Sequence, residues 1–549
     1  MRSGNMNIKQ GENMMGYRYV IQVSILVSFF FFSGCAKQAE VKDHAAANRP
    51  MVISEASRKM IANTSFPPEP VFAEFNMEEY DLIEENTFRE AISNPLSTFS
   101  IDVDTASYSN VRRFLNQNKM PPIDAVRIEE MINYFGYDYT APEDGSPLAL
   151  SVEISECPWK KGHQLIHLGL KAKEVKPEGL PVSNLVFLID VSGSMTAPNK
   201  LPLLQDAFRL LVRQLRAKDK VAITVYAGAA GVVLPSTAGS EKEAILSAVE
   251  SLSAGGSTAG AMGIRLAYET AEKGMIPGGN NRVILATDGD FNVGMSSDAE
   301  LVRLIEEKRN QGIFLTVLGF GMGNLKDSRM EKLADKGNGN YAYIDNLLEA
   351  KKVLVKEFAS TLFTVAKDVK IQVEFNPAKV QSYRLVGYEN RMMKKEDFQD
   401  DRKDAGELGA GHCVTALYEI IPAGLGNTEG LKENLKYVKT GLKPGAQASK
   451  EVMTVKLRYK LPLDDQSKLM VFPFENNFKS INETSDNFRF SAAVAEFGML
   501  LRNSAFKADS SYKGVFSLAK QARGKDEEGY RAEFIRLAEL AEMLSQREK

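Results

Sequence analysis

Cysteine and histidine are scarce in this sequence, whose 549 residues include three cysteines and four histidines. Neither a CxxC pair nor an HExxH pattern occurs, so a zinc site of the usual ligand spacing is not expected. The sequence also lacks an excess of charge of one sign, because 68 basic and 71 acidic residues give a formal net charge of -3. This balance offers no electrostatic reason to expect nucleic acid as a partner.

Long hydrophobic runs are also missing, with one exception at residues 20–32 (VIQVSILVSFFFF). This run is too short to cross a bilayer comfortably, but it has the length of the apolar part of a signal peptide. Ser33, Gly34 and Cys35 follow it directly. They resemble the bacterial lipobox, in which a small residue precedes a cysteine that is lipidated, although phenylalanine stands before Ser33 instead of the usual leucine. The resemblance implies that residues 1–35 are a lipoprotein signal peptide and that Cys35 carries the lipid.

The location expected from this signal is the bacterial cell envelope, with the protein lipid-anchored to the outer membrane or facing the periplasm. An ordinary secretory signal beside an unrelated cysteine is the alternative. Residues 36–75 contain four prolines and no clear periodicity, which predicts a flexible tether. With Cys35 lipidated, Cys157 and Cys413 remain; they could form a disulfide in an oxidising compartment, but the sequence does not show whether they meet.

A chain of this length is expected to contain several structural units. Hydrophobic periodicity predicts a mainly helical region at 76–147, strands at 148–182, a central segment at 183–365, a β-rich region at 366–480 and a helical tail at 481–549. In the central segment, buried-type strands alternate with amphipathic helices, which predicts a doubly wound, mostly parallel α/β sheet. The strands on its two sides are expected to pair with each other, so that the α/β domain would be inserted into a β unit.

The central segment divides into a regular series of elements. Its expected strands are 185–190, 221–226, 282–287, 313–319 and 341–344, with a short edge strand at 231–234. Its expected helices are 203–215, 242–252, 259–272, 299–310 and 328–335, with a closing helix at 348–363. In the tail, two apolar stripes are expected to be packing faces rather than grooves for a partner. They consist of Phe490, Val494, Phe497 and Leu501, and of Phe534, Leu537, Ala541 and Leu544.

Five oxygen-bearing side chains stand where predicted strands end or a helix begins. The first strand of the α/β segment ends at Asp190, and Ser192 and Ser194 follow it in a DxSxS pattern. Thr258 opens a helix, and Asp288 follows the third strand. Ligands of a doubly wound sheet bind beyond the carboxyl ends of the strands, where the chain order reverses. If the first and third strands are neighbours, Asp190 and Asp288 face each other there, and this all-oxygen set suits Mg2+, with Mn2+ or Ca2+ as weaker options.

A DxSxS pattern, a loop threonine and a Thr-Asp-Gly aspartate in this order resemble the metal-ion-dependent adhesion site of von Willebrand factor type A (VWA) domains, over residues 183–362. The resemblance implies that Ser192, Ser194 and Thr258 bind the ion directly, while one or both aspartates act through water. Three neutral hydroxyls leave a divalent cation poorly neutralised. Its open coordination position is therefore expected to accept the carboxylate of a Glu or Asp residue from a protein partner.

The function expected from these features is that of a membrane-anchored VWA lipoprotein that binds a protein partner through its metal site. Asp290 and Asn292 could line the rim of that site, or they could simply shape their loop. The segments at 94–139 and 488–502 also resemble the N- and C-terminal extensions of a family of bacterial VWA lipoproteins, but the resemblance implies no role for either. The alternative function is that of a metal-independent scaffold or assembly factor of the cell envelope.

Catalysis is not expected. Asp102 and Asp104 lie in a DVDT sequence that matches the nucleophile motif of haloacid-dehalogenase-type phosphatases. That chemistry needs further acids and a lysine on a larger core, and the region that follows is too short to supply it. A serine hydrolase is not favoured either, because no GxSxG elbow is present and the histidines lie outside recognisable catalytic motifs.

Overall fold

A computed structural model of the chain describes residues 77–101, 104–143, 145–176, 179–256, 260–289, 298–357, 363–403, 405–424, 442–462 and 464–547. The predicted signal peptide and tether, with Cys35, lie outside the described residues.

Strands and helices alternate in the middle of the chain, whereas strands prevail on both sides of it. The strands are β1 Arg89–Glu90, β2 Leu96–Ser100, β3 Leu148–Glu156, β4 Gln164–Ala172, β5 Ser183–Asp190, β6 Lys220–Tyr226, β7 Ala230–Ala238, β8 Asn280–Thr287, β9 Ile313–Phe320, β10 Tyr341–Ile344, β11 Thr364–Phe375, β12 Val380–Val386, β13 Met392–Met393, β14 Leu408–Gly409, β15 Cys413–Pro422, β16 Glu451–Lys460, β17 Lys468–Glu475 and β18 Phe478–Lys479. The α-helices are α1 Ala106–Asn116, α2 Ile128–Asn133, α3 Leu201–Gln214, α4 Lys242–Glu250, α5 Gly260–Lys273, α6 Asp298–Asn310, α7 Asp327–Lys336, α8 Leu347–Lys351, α9 Asp486–Leu501, α10 Tyr512–Gln521 and α11 Tyr530–Arg547.

The central sheet has the strand order β10-β9-β8-β5-β6-β7. All neighbours are parallel except the edge strand β7, which is antiparallel to β6. Strands β5 and β8 are buried along their whole length, because helices cover both faces of the sheet. The chain leaves β5 toward β6 on one side and later returns to β8 on the other, so the order reverses between β5 and β8. The predicted doubly wound α/β domain is confirmed.

The helix predicted to close this domain is shorter than expected. Instead of running over 348–363, α8 ends at Lys351 and passes into a single π turn, in which the amide of Glu357 donates to the carbonyl of Lys352 over 2.9 Å. Phe363 lies outside the helix. The β-branched Thr364 already pairs with β14 in the next sheet, so pairing prevails over helix formation there.

Two further sheets pack on each other as a β-sandwich, built from strands that precede and follow the α/β domain in the chain. One has the order β1-β12-β15-β4-β3-β18, and the other has the order β13-β2-β11-β16-β17 with β14 beside β11. Strand β4, before the α/β domain, pairs with β15, after it. Strand β2 pairs with β11 in the same way. The predicted insertion of the α/β domain into a β unit is therefore confirmed.

The region at 76–147 was expected to be mainly helical, but it also supplies β2 to the sandwich. Phe99 points into the core between the two sheets, where its ring meets that of Tyr388 at a centroid distance of 5.0 Å. Thr98, one residue earlier, accepts a hydrogen bond from Gln372 of β11 over 3.0 Å. Adjacent side chains of β2 thus lie on opposite faces of the sheet, which is the alternation that defines a strand.

Helices from both ends of the described chain pack together. Phe135, just after α2, makes edge contacts with Phe490 of α9 and Phe534 of α11, at centroid distances of 4.9 and 5.7 Å. This layer covers one face of the first sheet, since Leu165 of β4 belongs to the helical core and its neighbour Ile166 to the sandwich core. Both apolar stripes of the tail are buried, which confirms them as packing faces. In the part of the chain that the structure describes, no helix has the length and apolar character needed to span a membrane.

Candidate metal centre

Strands β5 and β8 end side by side; the buried Asp190 is the last residue of β5, and the buried Asp288 directly follows β8. Asp190 accepts the amide of Ser192 at Oδ1 over 2.8 Å. Its Oδ2 accepts the hydroxyl of Tyr226, at the end of β6, over 3.0 Å and that of Thr287, at the end of β8, over 3.4 Å. Hydrogen bonds from residues at the ends of β5, β6 and β8 thus fix the orientation of the Asp190 carboxylate.

The two serines of the DxSxS pattern lie next to each other. Their Oγ atoms are 3.0 Å apart, with Ser192 buried and Ser194 exposed in a short 3-10 turn. The turn is tied to a second loop, because the amide of Gly193 donates to the carbonyl of Gly256 over 3.0 Å. Gly256 lies two residues before Thr258, which itself lies outside the described residues.

Asp288 completes the described part of the site. Lys200, the residue before α3, donates from Nζ to Oδ2 of Asp288 over 2.9 Å, and the Ser194 side chain also forms a hydrogen bond with this carboxylate. Gly289 follows with φ +101°, and a Cβ there would lie 2.7 Å from the backbone nitrogen of Lys326. The glycine after Asp288 is therefore required by the turn.

The two aspartates differ in their electrostatic surroundings. Burial raises the pKa of Asp190, and the negative charge of Asp288 acts in the same direction against the hydrogen bonds from Ser192. Burial also acts to raise the pKa of Asp288, but hydrogen bonds from Ser194 and Lys200, together with the Lys200 charge, hold it below its ordinary value. Asp288 is thus the carboxylate better stabilised as an anion.

The sequence is similar to known proteins over most of its length. It matches the family descriptions "von Willebrand factor type A domain" over 184–357, "von Willebrand factor" over 74–167 and "Uncharacterized protein YfbK, C-terminal" over 360–544. It is 45% identical over 470 residues to the YfbK protein of Escherichia coli (strain K12), covering 84% of this chain and 81% of that protein. The chain belongs to the YfbK family. The resemblance of the central and flanking segments to VWA proteins is confirmed.

Solved structures also resemble this YfbK-family chain. The "von Willebrand factor type A from Catenulispora acidiphila" is 15% identical and has a TM-score of 0.37, covering 81% of this chain and 90% of that one. The ArnB paralog VWA2 from Sulfolobus acidocaldarius is 12% identical with a TM-score of 0.35, covering 73% and 98%.

The residues present in the YfbK-family site fit a small divalent ion. In an octahedron with magnesium–oxygen distances of roughly 2.1 Å, neighbouring ligand oxygens lie about 3.0 Å apart. The hydroxyls of Ser192 and Ser194 have this separation. Hydroxyl and carboxylate oxygens are the ligands that Mg2+ prefers. Within the described ranges, no group of three or more His, Cys, Asp or Glu side chains that could hold a metal is found, here or elsewhere.

Four residues that the sequence predicts to share a site are neighbours in the structure, namely Asp190, Ser192, Ser194 and Asp288. Of the other predicted site residues, Thr258, Asp290 and Asn292 lie outside the described residues. Sequence reasoning missed four neighbours of the site, which are Lys200, Tyr226, Thr287 and Asn324. Tyr226 could have been found, because it ends β6 and pairs in register with Asp190. Lys200 belongs to no recognisable pattern.

Other candidate residues of the sequence have structural contacts. Asp104 is buried and accepts the amide of Tyr341 over 2.7 Å, whereas Asp102 lies outside the described residues. Cys157 and Cys413 are free thiols rather than a disulfide.

Proposed function

We propose that this protein is a membrane-anchored receptor or adaptor of the bacterial cell envelope that binds an acidic residue of a protein partner through a divalent ion, preferably Mg2+. The observation that carries the proposal is the convergence of Asp190, Ser192, Ser194 and Asp288 beyond the ends of β5 and β8, with the serine oxygens 3.0 Å apart. Ser192 and Ser194 would hold the ion directly, joined by Thr258.

The aspartates are suited to a supporting role. Both oxygens of Asp190 already accept hydrogen bonds from the protein, and Asp288 accepts one from Lys200. Direct ligands would then be mostly neutral hydroxyls. A divalent ion bound in this way supplies an under-neutralised positive charge at the surface, which favours a carboxylate as its next ligand.

The membrane anchor is proposed on Cys35, on the strength of the lipobox-like sequence that precedes it. Mass spectrometry of the protein isolated from bacterial membranes should find diacylglycerol and acyl chains on an N-terminal Cys35. A Cys35→Ala variant should appear in the soluble fraction after cell lysis.

We also propose that the protein is not an enzyme. In the phosphatase-like motif, the carboxylate of Asp104 accepts a hydrogen bond from the backbone amide of Tyr341.

The metal site is tested by calorimetric titration of Mg2+ into the purified full-length chain. Wild-type protein should take up one ion per chain, and Asp190→Ala should take up none. Asp206→Ala is the matched control, because Asp206 is an exposed aspartate of α3 that forms a salt bridge with Arg209. Equal uptake by Asp190→Ala and wild type would contradict the site.

Partner binding is tested by capture from native envelope extracts with and without EDTA. A partner held by the ion should be released by EDTA and should not bind Asp190→Ala. A partner that persists under both conditions would instead support a metal-independent scaffold.

A further inference from the structure

Lys200 places a fixed positive charge inside the proposed metal site. Its side chain is 9% exposed, and its Nζ lies 2.9 Å from Oδ2 of Asp288 and 3.3 Å from Oδ1 of Asn324. The position of Lys200 is set by the start of α3, where Pro202 occupies the first turn. The ammonium group therefore reaches the site from a helix that supplies none of the proposed ligands.

The surrounding backbone is shaped to admit this lysine. Gly321 has φ +78°, and a Cβ at that position would lie 2.2 Å from Cε of Lys200 and 2.6 Å from its Cγ. Any other residue at 321 would force the lysine stem away from Asp288. The Lys200 side chain thus occupies the space that a side chain at position 321 would need.

The loop that carries Gly321 and Asn324 is itself held in place. Residues 77–79 run alongside it, with the amide of Met77 donating to the carbonyl of Gly323 over 2.8 Å and that of Glu79 to Leu325 over 3.0 Å. The amide of Gly323 in turn donates to Glu78 over 2.8 Å. Asn324, the second acceptor of Lys200, therefore lies on a loop that is held by hydrogen bonds to residues 77–79. The ammonium group is thus held between two fixed oxygens, one from Asp288 and one from Asn324.

We propose that Lys200 is a built-in counter-ion that sets the cation affinity of this site, an inference that rests on the proposed metal site. The ammonium group neutralises Asp288 when no divalent ion is bound. It also repels a divalent ion at the neighbouring hydroxyls, because like charges a few ångströms apart inside a protein interact strongly. The site should consequently bind Mg2+ weakly and fill only at high Mg2+ concentration.

The experiment compares Mg2+ binding and thermal unfolding of full-length wild type, Lys200→Met and Lys200→Gln. Both neutral variants should bind Mg2+ at least about tenfold more tightly than wild type. Their melting temperature without divalent ion should fall, and it should rise further on addition of Mg2+ than that of wild type. Lys220→Met is the matched control, because Lys220 is an exposed lysine at the opposite end of β6; its affinity should equal that of wild type.

The outcomes separate the two ideas. Absence of Mg2+ binding in wild type and in both neutral variants would overturn the metal site itself. Binding in wild type that is unchanged or weaker in Lys200→Met and Lys200→Gln would overturn the role of Lys200 alone. Neutral variants that fold only with Mg2+ would support the counter-ion role, whereas variants that stay unfolded with Mg2+ would overturn it.

Discussion

The hydroxyl of Tyr226 connects the end of β6 to the carboxylate of Asp190. Both side chains are buried, and the phenol donates to Oδ2 over 3.0 Å. Burial raises the pKa of Tyr226 well above its ordinary value, and the charge of Asp190 adds to this effect. The phenol therefore stays protonated and remains a hydrogen-bond donor to Asp190.

Tyr226→Phe should lower the free energy of unfolding by about 1–2 kcal/mol, because it leaves a buried carboxylate oxygen with one donor fewer. Urea unfolding at neutral pH measures the change. Tyr268→Phe is the control: the hydroxyl of Tyr268 is buried without a hydrogen-bond partner among the described residues, so its removal should cost almost nothing. Equal losses in the two variants would show that the bond to Asp190 contributes nothing.

The site residues that could be predicted from sequence share one physical property. Asp190 ends β5 and Asp288 directly follows β8, two strands that are buried throughout. Neighbouring parallel strands bring their carboxyl ends to one edge of a sheet. Ser192 and Ser194 follow within four residues and cannot be far away. Lys200 reaches the site through its long side chain from the start of a helix, and its direction depends on the space above Gly321. No periodicity encodes that direction.

At the scale of elements, strands buried on both faces were the easiest to predict. The bounds expected for β5 and β8 differ from the observed ones by two residues at most, because continuous apolar runs specify such strands. Strand β2 was missed because its five residues contain a single large apolar side chain at the core, Phe99. The π turn after α8 was missed because its sequence retains helical spacing.

Glu496 joins two helices of the tail and gives a prediction on pH. This buried residue of α9 accepts the amide of Ser511, the N-cap of α10, over 2.9 Å. Burial raises its pKa from 4.5 to about 7. The folded state therefore keeps a proton that the unfolded state loses between pH 4.5 and 7. The stability from this group is complete below pH 4.5 and is lost as the pH rises through about 7.

Glu496→Gln retains an acceptor for Ser511 but carries no charge, so it should raise the free energy of unfolding at pH 8 by about 1–3 kcal/mol. At pH 4 the variant and wild type should be equally stable. Urea unfolding at pH 4, 6 and 8 tests this, with Glu539→Gln on the exposed face of α11 as the control. A gain at pH 8 no larger than that of the control would contradict the raised pKa.

At the scale of the whole molecule, Arg112 joins the helical layer to the α/β domain. This buried residue of α1 pairs with Asp345, just after β10, with Glu349 of α8 over 2.7 Å, and with Glu533 of α11 over 3.1 Å. It also donates to the hydroxyl of Tyr134 over 2.9 Å. Segments from the beginning, middle and end of the described chain thus depend on one guanidinium group.

Arg112→Met should lower the free energy of unfolding by about 3–5 kcal/mol, because it leaves Asp345 and Glu349 buried without their cation. Calorimetry of the full-length chain should show a lower melting temperature for the α/β domain and the helical layer alike. Arg265→Met removes an exposed pair with Glu300 and should cost no more than about 1 kcal/mol. Adding Asp345→Asn and Glu349→Gln to Arg112→Met should restore part of the loss, since the cost arises from carboxylates left without a counter-ion. No recovery in that triple variant would mean that Arg112 stabilises the junction by packing instead of by charge.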